Sequence, residues 1–329
     1  MSASGWTQIE SPFHQGETTI QSRLGVQAQA ERQGRRMIRD YLIEQHRQFF
    51  AQLPYIAVGT VESSGYPWAS LLVGPSGFLS TPDQHTLRVE TTILPGDPLH
   101  NTLAVGSDIG FLGIDLKTRR RNRLNGVVST IKQTGFDVQV KQSFGNCPQY
   151  IQARKLLAQQ SRHSQANEDQ EKVVHHIKNL STAEQALIST ADTFFIATAY
   201  QDTDRSLSSG VDVSHRGGKP GFVRISDNNT LTVPDYSGNR HFNTLGNIIL
   251  NPKAGLLFLD FERGDLLYVT GRAEIIWEGP EIKSYVGAER LLRFHLKQGF
   301  RVDKSLSLRW SAPEFSPYLD NIDRNTAAR

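Results

Sequence analysis

The chain repeats itself at a nearly constant distance, and this internal repeat limits the folds it can adopt more than any other feature. TLRV (86–89) returns as TLTV (230–233) after 144 residues, and GFLGIDL (110–116) returns as GLLFLDF (255–261) after 145. Such small drift is expected when insertions are confined to turns. We interpret the repeat as a tandem duplication, which predicts two similarly folded units. Three further pairs support it: YIAV (55–58) with FIAT (195–198), SLLVGPSGFL (70–79) with SHRGGKPGFV (214–223), and GDPLHNTL (96–103) with GNRHFNTL (238–245).

Each copy consists of short apolar runs separated by turn residues. The runs are rich in Val, Ile, Leu and Phe and are interrupted by Gly, Pro, Asn and Asp, a pattern typical of a small antiparallel barrel. Helices are predicted at 27–50, 148–160 and 181–190, the last because STAE (181–184) is a capping box. The predicted fold class is mainly β with flanking helices (a β-barrel, α+β). The predicted domains are an N-terminal helical extension (1–50), a first barrel (51–160), a helical linker (161–190) and a second barrel with a C-terminal helix and tail (191–329).

Composition narrows the class of protein further. Hydrophobic residues make up 38% of the chain, which is enough for a buried core, and the net charge of +3 is too small to indicate a nucleic-acid partner. A single cysteine, Cys147, excludes an internal disulfide and favours a reducing compartment. We find neither a signal peptide nor an apolar run of about 18 residues. We therefore expect a soluble, cytoplasmic protein without a membrane partner.

The two copies differ in two loops. In both loops the second copy has cationic or hydrogen-bond-donating residues where the first copy does not. The second copy has His215, Arg216 and Lys219 where the first has Leu71, Leu72 and Pro75, and it has Asn239 and Arg240 where the first has Asp97 and Pro98. Arginine suits phosphate geometrically, and glycines allow backbone amides to approach a ligand closely. The pattern predicts a phosphate site on the second copy, with Ser214 and Asn243 as neutral donors. The alternative is that these are surface loops whose charges have drifted.

The first copy has a basic segment of its own, KTRRRNRLNG (117–126). If 119–125 is a strand, its two-residue period places Arg119, Arg121, Arg123 and Asn125 on one face. A solvated edge strand that uses charge against aggregation would show the same pattern, and so would a nucleic-acid patch, although interleaved aromatic residues are missing. We favour a third interpretation, in which this strand of the first copy contributes to the site on the second.

The motifs SHRGGKPGFV, DYSGNRHFNTLGNIILNPKAGLLFLDF and VTGRAEI resemble the pyridoxamine 5′-phosphate oxidase-like, FMN-binding split-barrel superfamily. The resemblance covers about 50–160 and 188–280. It implies two tandem split barrels that form a pseudo-dimer within one chain, with FMN between them. By resemblance, the phosphate and ribityl end is held by Ser214, His215, Arg216, Asn239, Arg240 and Asn243, and Arg121, Arg123 and Asn125 reach the flavin from the other barrel. Gly217, Lys219, Tyr236 and Arg119 complete the predicted cofactor-binding set.

The resemblance implies an FMN-dependent oxidoreductase that acts on an unknown small molecule. Electrons would come from a reduced nicotinamide or a partner flavoprotein, and the chain would be a monomer or a homodimer. Pyridoxamine phosphate itself is not the expected substrate, because the C-terminal RL.P segment of that oxidase has no counterpart. The alternative is a non-catalytic flavin- or haem-binding protein. No metal site is expected, since His175 and His176 have no partner at ligand spacing and read as part of a solvated helix.

Overall fold

The computed structural model describes residues 5–157 and 172–320. Three helices precede the first sheet. The predicted helix over 27–50 is interrupted at 38–43, where Arg39 forms an antiparallel bridge with Ser143. The first helix was not predicted; it begins with a capping box formed by His14 and Glu17. The helices are α1 (Gln15–Arg23), α2 (Gln27–Met37) and α3 (Glu44–Ala51).

The first half of the chain forms a seven-stranded antiparallel sheet. Its spatial order is second, first, fifth, sixth, seventh, fourth and third strand. Phe111, Leu124 and Phe136 belong to the buried core that the sheet encloses. The elements are β1 (Tyr55–Val61), β2 (Pro67–Val73), β3 (Leu79–Ser80), β4 (Thr86–Val89), α4 (Leu99–Thr102), β5 (Asp108–Asp115), β6 (Arg120–Lys132) and β7 (Gly135–Asn146).

The connection between the halves is mostly extended. The helix predicted over 148–160 is wrong for 148–157, which contain only loop and a short strand, and 158–160 lie outside the described residues. The segment 161–190 is described only from Lys172 onward; there His175 and His176 lie on a strand, not on the predicted helix. The helix predicted at 181–190 is confirmed, with its capping box. These elements are β8 (Leu156–Leu157), β9 (Val174–Ile177) and α5 (Thr182–Thr190).

The second half forms a sheet with the same strand order as the first. This sheet also encloses a buried hydrophobic core, which includes Phe194, Leu256 and Phe294. A last short strand pairs with β8, and residues 317–320 are helical. The elements are β10 (Thr193–Tyr200), β11 (Gly210–Gly217), β12 (Arg224–Asp227), β13 (Thr230–Asp235), α6 (Asn243–Leu250), β14 (Lys253–Leu259), β15 (Leu266–Ile276), β16 (Arg290–Val302) and β17 (Arg309–Trp310).

The strand registers give the residue equivalence between the halves. A register shift lies between Asn125 and Gly126 in the first sheet and between Thr270 and Gly271 in the second, again 145 residues apart. The bulge at Gly271 interrupts the regular pairing of β15 without ending the strand. One sequence match was wrong: Tyr55 pairs with Val73 and Thr193 with Gly217, so β1 and β10 are offset by 138 residues, not 140. An error of two residues keeps every side chain on its own face, so the apolar pattern did not reveal it.

The two sheets contact each other through equivalent positions. A side chain at Gly110 would collide with the carbonyl oxygen of Val211, and one at the equivalent Gly255 would collide with that of Pro67, the equivalent of Val211. Glycine is required at both places because the backbones approach so closely. The halves therefore form a pseudo-twofold pair. A buried cluster is shared by both sheets and includes Tyr55, Leu71, Leu112, Phe195, Val213 and Leu257.

Over residues 5–157 and 172–320, no helix is long and apolar enough to cross a membrane.

Candidate functional site

A cleft opens where β6 of the first sheet meets β11 and the loop before α6 of the second. The strand that carries Arg121 and Arg123 thus lies beside the segment that carries Ser214. Both sheets contribute side chains, as the sequence comparison predicted. Ten of the thirteen predicted residues line the cleft: Arg121, Arg123, Ser214, His215, Arg216, Gly217, Tyr236, Asn239, Arg240 and Asn243.

Arg123 crosses from the first sheet to the second and is neutralised there. Its Nη1 lies 2.5 Å from Oδ1 of Asp212, and its Nη2 donates to the hydroxyl of Ser214. The same carboxylate accepts hydrogen bonds from Asn125 and Asn247, each at 2.8 Å. Arg123 and Asp212 are both buried, so this network fixes the position of β6 against β11. It leaves Arg123 without free charge for a ligand.

Arg121 lies in the same cleft but has no carboxylate within ion-pair distance among the described residues. Its Nε donates to the carbonyl oxygen of Cys147 at 2.7 Å. Burial, together with the neighbouring charges of Arg123 and Arg216, lowers the pKa of Arg121 to about 10. It therefore remains protonated at neutral pH, at a cost in free energy that an anion in the cleft would offset.

The end of β11 adds one paired cation and one neutral imidazole. Arg216 forms an ion pair with Asp235, which Arg290 approaches from the other side at 3.4 Å. His215 is buried, and neither ring nitrogen has a hydrogen-bond partner among the described residues. Burial first, and then the charges of Arg121 and Arg216, hold its pKa well below the ordinary value. His215 therefore faces the cleft as an uncharged ring.

The loop before α6 is held in an unusual backbone conformation. Arg240 and Phe242 both have positive φ angles, 61° and 63°, which non-glycine residues seldom adopt outside functional or tightly packed sites. Asn239 stabilises the loop, since its amide donates to Asn146 of the first sheet at 3.0 Å and its oxygen accepts from the backbone of His241 at 3.1 Å. The side chain of Arg240 is exposed and donates to Gln29 of α2 at 3.2 Å.

The N-terminal helices support the site from outside the cleft, through contacts to Asn243 and Arg240, which the sequence did not indicate. Glu17 of α1 accepts a hydrogen bond from Asn243. Burial raises the pKa of Glu17 well above its ordinary value, and the neighbouring carboxylate of Asp212 raises it further. The close approach depends on glycine, because a side chain at Gly16 would collide with the backbone of Gly246 in α6.

Three predicted residues lie outside the cleft. Arg119 has a positive φ of 57° in the turn before β6 and binds Glu314 at 2.9 Å, so it leaves the face shared by Arg121 and Arg123. Asn125 is buried behind the cleft on Asp212. Lys219 follows the end of β11, is exposed and lies 3.9 Å from Asp320.

The equivalent place in the first half is closed by a buried hydrogen-bonded cluster. Ser70, Asp97 and Tyr268 stand at the positions of Ser214, Asn239 and Arg123. Asp97 accepts from the hydroxyl of Ser70 at 2.6 Å and from that of Tyr268 at 3.0 Å. All three side chains are buried, so they fill the space that is an open cleft in the second half.

Sequence reasoning missed several residues of the site. Asp212 and Asp235, which neutralise two arginines, and Tyr150, whose ring lies 5.0 Å from that of Tyr236, were not identified. Asp212 carries no usable signal in the sequence, because successive side chains of a strand point to opposite faces and Val–Asp–Val is typical of a strand with an exposed polar face. Tyr150 carries none, since its position depends on how the connection between the halves folds.

Taken together, the cleft is suited to an anion. Four arginines and one aspartate line it. Asp235 neutralises Arg216, and Asp212, just behind the cleft, neutralises Arg123. Arg121 and Arg240 have no carboxylate partner among the described residues. Two free guanidinium groups match the charge of a phosphate monoester near neutral pH.

Residues 180–309 match the family model of pyridoxamine 5′-phosphate oxidase. No curated protein matches the chain. Among solved structures, HupZ of Group A Streptococcus is 19% identical, with 37% of this chain and 93% of that chain covered and a TM-score of 0.30. A putative pyridoxamine 5′-phosphate oxidase of Lactobacillus delbrueckii is 16% identical over 38% and 95% of the chains, TM-score 0.29. A FAD-binding protein of Mesorhizobium loti is 14% identical over 40% and 98%, TM-score 0.28.

The family match contains seven of the eight strands of the second sheet, from β10 to β16; β9, which pairs with β16, lies outside it. The first sheet has the same strand order and the same bulge. By sequence, the second half of the chain is thus similar to the pyridoxamine 5′-phosphate oxidase family.

Proposed function

We propose that the chain is a flavoprotein that binds one FMN in the cleft between its two barrels and acts as an FMN-dependent oxidoreductase. The observation that carries the proposal is Arg121, a cation supplied by the first barrel to a cleft on the second, without a carboxylate partner among the described residues. Such a charge is costly in an apolar setting unless a ligand neutralises it.

The phosphate of FMN fits the cationic end of the cleft. Arg121 and Arg240 supply the two free charges, and the hydroxyl of Ser214 lies within the same lining. Arg123 holds Ser214 in place from the other barrel. Because each barrel contributes one part, the barrels must be packed together before the ligand binds.

The flavin ring needs a flat and largely apolar surface. Tyr150 and Tyr236 line the cleft with their rings 5.0 Å apart, and Phe242 and Leu245 add apolar wall. Aromatic faces suit a planar ring system. The backbone of Tyr150 packs closely against Gly217, where a side chain would collide with its carbonyl oxygen.

FMN when bound supplies the hydride chemistry, and the protein contributes position, charge and exclusion of water. Arg121 and Arg240 neutralise the anion, and Asn239 holds the loop that carries Arg240. The electron donor that we propose is a reduced nicotinamide or a partner flavoprotein, and the substrate is a small molecule. We assign no catalytic residue, because no acid or base in the described cleft is placed against a reacting atom.

One observation favours a second candidate, a non-catalytic haem-binding protein. The neutral imidazole of His215 lines the cleft with both nitrogens without partners among the described residues, and neutral imidazole is a common axial ligand of haem. The absorbance of the purified protein separates the two, since flavin absorbs in the blue and haem gives a Soret band. His215→Leu, which copies Leu71 of the first barrel, would abolish haem binding but retain FMN.

The proposal is tested by titrating the ligand-free protein with FMN and following flavin fluorescence. We expect saturation at one FMN per chain, with phosphorus analysis giving the same ratio. Failure to bind FMN after reconstitution, or binding that Arg121→Leu does not weaken, would contradict it. Arg119→Leu is the matched control, because Arg119 lies just before the same strand but outside the cleft.

A further inference from the structure

A second cavity lies away from the cleft, where the first barrel meets the connection and the C-terminal strand. It has a volume of about 580 Å³, within the usual range for small-molecule sites. None of the residues that line it also lines the candidate flavin cleft. Its walls come from the end of α3, the start of β1, the end of β5, the segment 154–156 and Trp310.

The interior of this cavity is apolar. Phe49, Leu53, Ile114 and Leu116 are buried side chains in its wall. Trp310 closes one side, with its ring at 5.5 Å from that of Tyr55 and nearly perpendicular to it. An apolar or aromatic body would find favourable contacts here, since burying apolar surface is worth about 25 cal/mol per Å².

The rim of the cavity is cationic. Lys117 and Lys155 line it and are exposed, and neither has a carboxylate within ion-pair distance among the described residues. Asp115, also in the lining, is engaged in its own turn by the backbone of Lys117 at 3.0 Å and the hydroxyl of Thr118 at 2.6 Å. Both donors are neutral, so Asp115 keeps its negative charge, and the two ammonium groups of Lys117 and Lys155 leave one positive charge in excess at the rim.

The one other cation in the described lining is already neutralised. Arg154 binds Asp192 through two hydrogen bonds, of 3.1 and 2.7 Å, and its guanidinium lies 4.0 Å above the ring of Phe261. This buried pair fixes the wall between the barrels. It adds no net charge, so selectivity for charge depends on Lys117 and Lys155.

We propose that this cavity binds a small amphipathic acid, with the apolar body against Trp310 and Leu53 and the carboxylate at Lys117 and Lys155. The complementarity is twofold: an apolar interior for the body and two unpaired ammonium groups for the head. The site is independent of the flavin cleft, and the inference does not rest on the proposed function.

The test is calorimetric titration of the full-length protein with sodium decanoate and, as a neutral match, decanol. We expect saturable 1:1 binding of decanoate and about tenfold weaker binding of decanol, as expected for the loss of a charge-assisted contact. The double variant Lys117→Ala/Lys155→Ala should weaken decanoate about tenfold and leave decanol unchanged. Lys132→Ala is the control, because that exposed lysine of the first barrel already pairs with Asp137.

A second variant tests the rim without disturbing the interior. Leu156 lines the cavity and is 39% exposed, so Leu156→Glu is compatible with folding and places a negative charge beside Lys155. We expect it to weaken decanoate more than decanol. Arg121→Leu should change neither, because it lies in the other cleft.

Four results would overturn the proposal. The first is that wild-type protein binds no decanoate, and the second is that decanol binds as tightly as decanoate. Loss of decanoate binding in Arg121→Leu would place the acid in the flavin cleft instead. Binding that emerges only after 158–171 is replaced by a Gly/Ser linker of equal length would mean that the chain itself fills the cavity.

Discussion

Replacing Arg121 by leucine should weaken FMN binding without weakening the fold. Leucine is the natural choice, since Leu266 occupies the equivalent strand position in the second barrel. A charge-assisted hydrogen bond to phosphate is worth about 1.5–3 kcal/mol, which corresponds to a roughly 10- to 150-fold rise in the dissociation constant of FMN. The assay is fluorescence titration of ligand-free protein, with Arg119→Leu as the control.

The ligand-free variant should be at least as stable as the parent. The pKa of Arg121 falls from its ordinary value to about 10 in the folded protein. At neutral pH the side chain is charged in both the folded and the unfolded states, so the lowered pKa means that the folded state carries a cost. At 1.36 kcal/mol per pKa unit this cost is about 3 kcal/mol at most. The hydrogen bond from Nε to the carbonyl oxygen of Cys147, which leucine cannot form, offsets part of it.

Arg121→Leu should therefore lower the affinity for FMN while leaving the free energy of unfolding unchanged or higher. A purely structural arginine would give the opposite result, a loss of stability without a loss of affinity. Urea denaturation of the ligand-free proteins measures the free energy of unfolding, and titration measures affinity. A variant that loses more than about 1 kcal/mol of stability and keeps its affinity for FMN would refute the assignment.

Three further predictions follow from the asymmetry between the barrels. Arg240→Ala should weaken FMN binding by about 1.5–3 kcal/mol, whereas Pro98→Ala at the equivalent place should change it little; equal effects in titration would contradict the asymmetry. Burial raises the pKa of Asp97 to about 6, so its ionised form costs stability as the pH rises from about 4 to 6, and Asp97→Asn should be more stable than the parent by up to about 3 kcal/mol at pH 7.5 but not at pH 4. A difference in unfolding free energy that does not depend on pH would count against this. Because the cluster around Tyr268 fills the second place, saturation should occur at one FMN per chain, and a plateau at two would disprove the closure.

The fold was predictable from sequence because it is repeated. Matched segments fixed the length of each unit, and most strands were apolar runs bounded by turn residues. β7, β11 and β16 were missed. Polar residues such as Lys141 and Gln298 interrupt the apolar pattern of β7 and β16. The segment with Ser214, His215 and Arg216, which we interpreted as a loop, is the end of strand β11. Pairing between distant strands supplies the stability that local pattern does not show.

The site was predictable only where the two copies could be compared. Differences between equivalent positions pointed to Arg121, His215 and Arg240, and the cleft brings these together. Residues that have no equivalent in the other copy were not predicted. Glu17 lies in the N-terminal extension, which occurs only once, and Tyr150 lies in the connection between the halves. Their roles depend on tertiary packing, which a single sequence does not contain.

The presence of two barrels in one chain gives a physical reason for the asymmetry between them. In a symmetric dimer every position occurs at both sites, so an arginine that faces the ligand from one subunit also faces the second site. Here Arg121 is matched by Leu266 and Arg123 by Tyr268. An unliganded Arg121 costs up to about 3 kcal/mol, and a second such residue would double that cost, which is a large share of the usual 5–15 kcal/mol of net stability. In this chain the second place is filled by the hydrogen-bonded pair of Tyr268 and Asp97, so the free-energy cost of an unpaired arginine arises only once. The remaining cleft is lined by residues of both barrels, so both are still needed to form it.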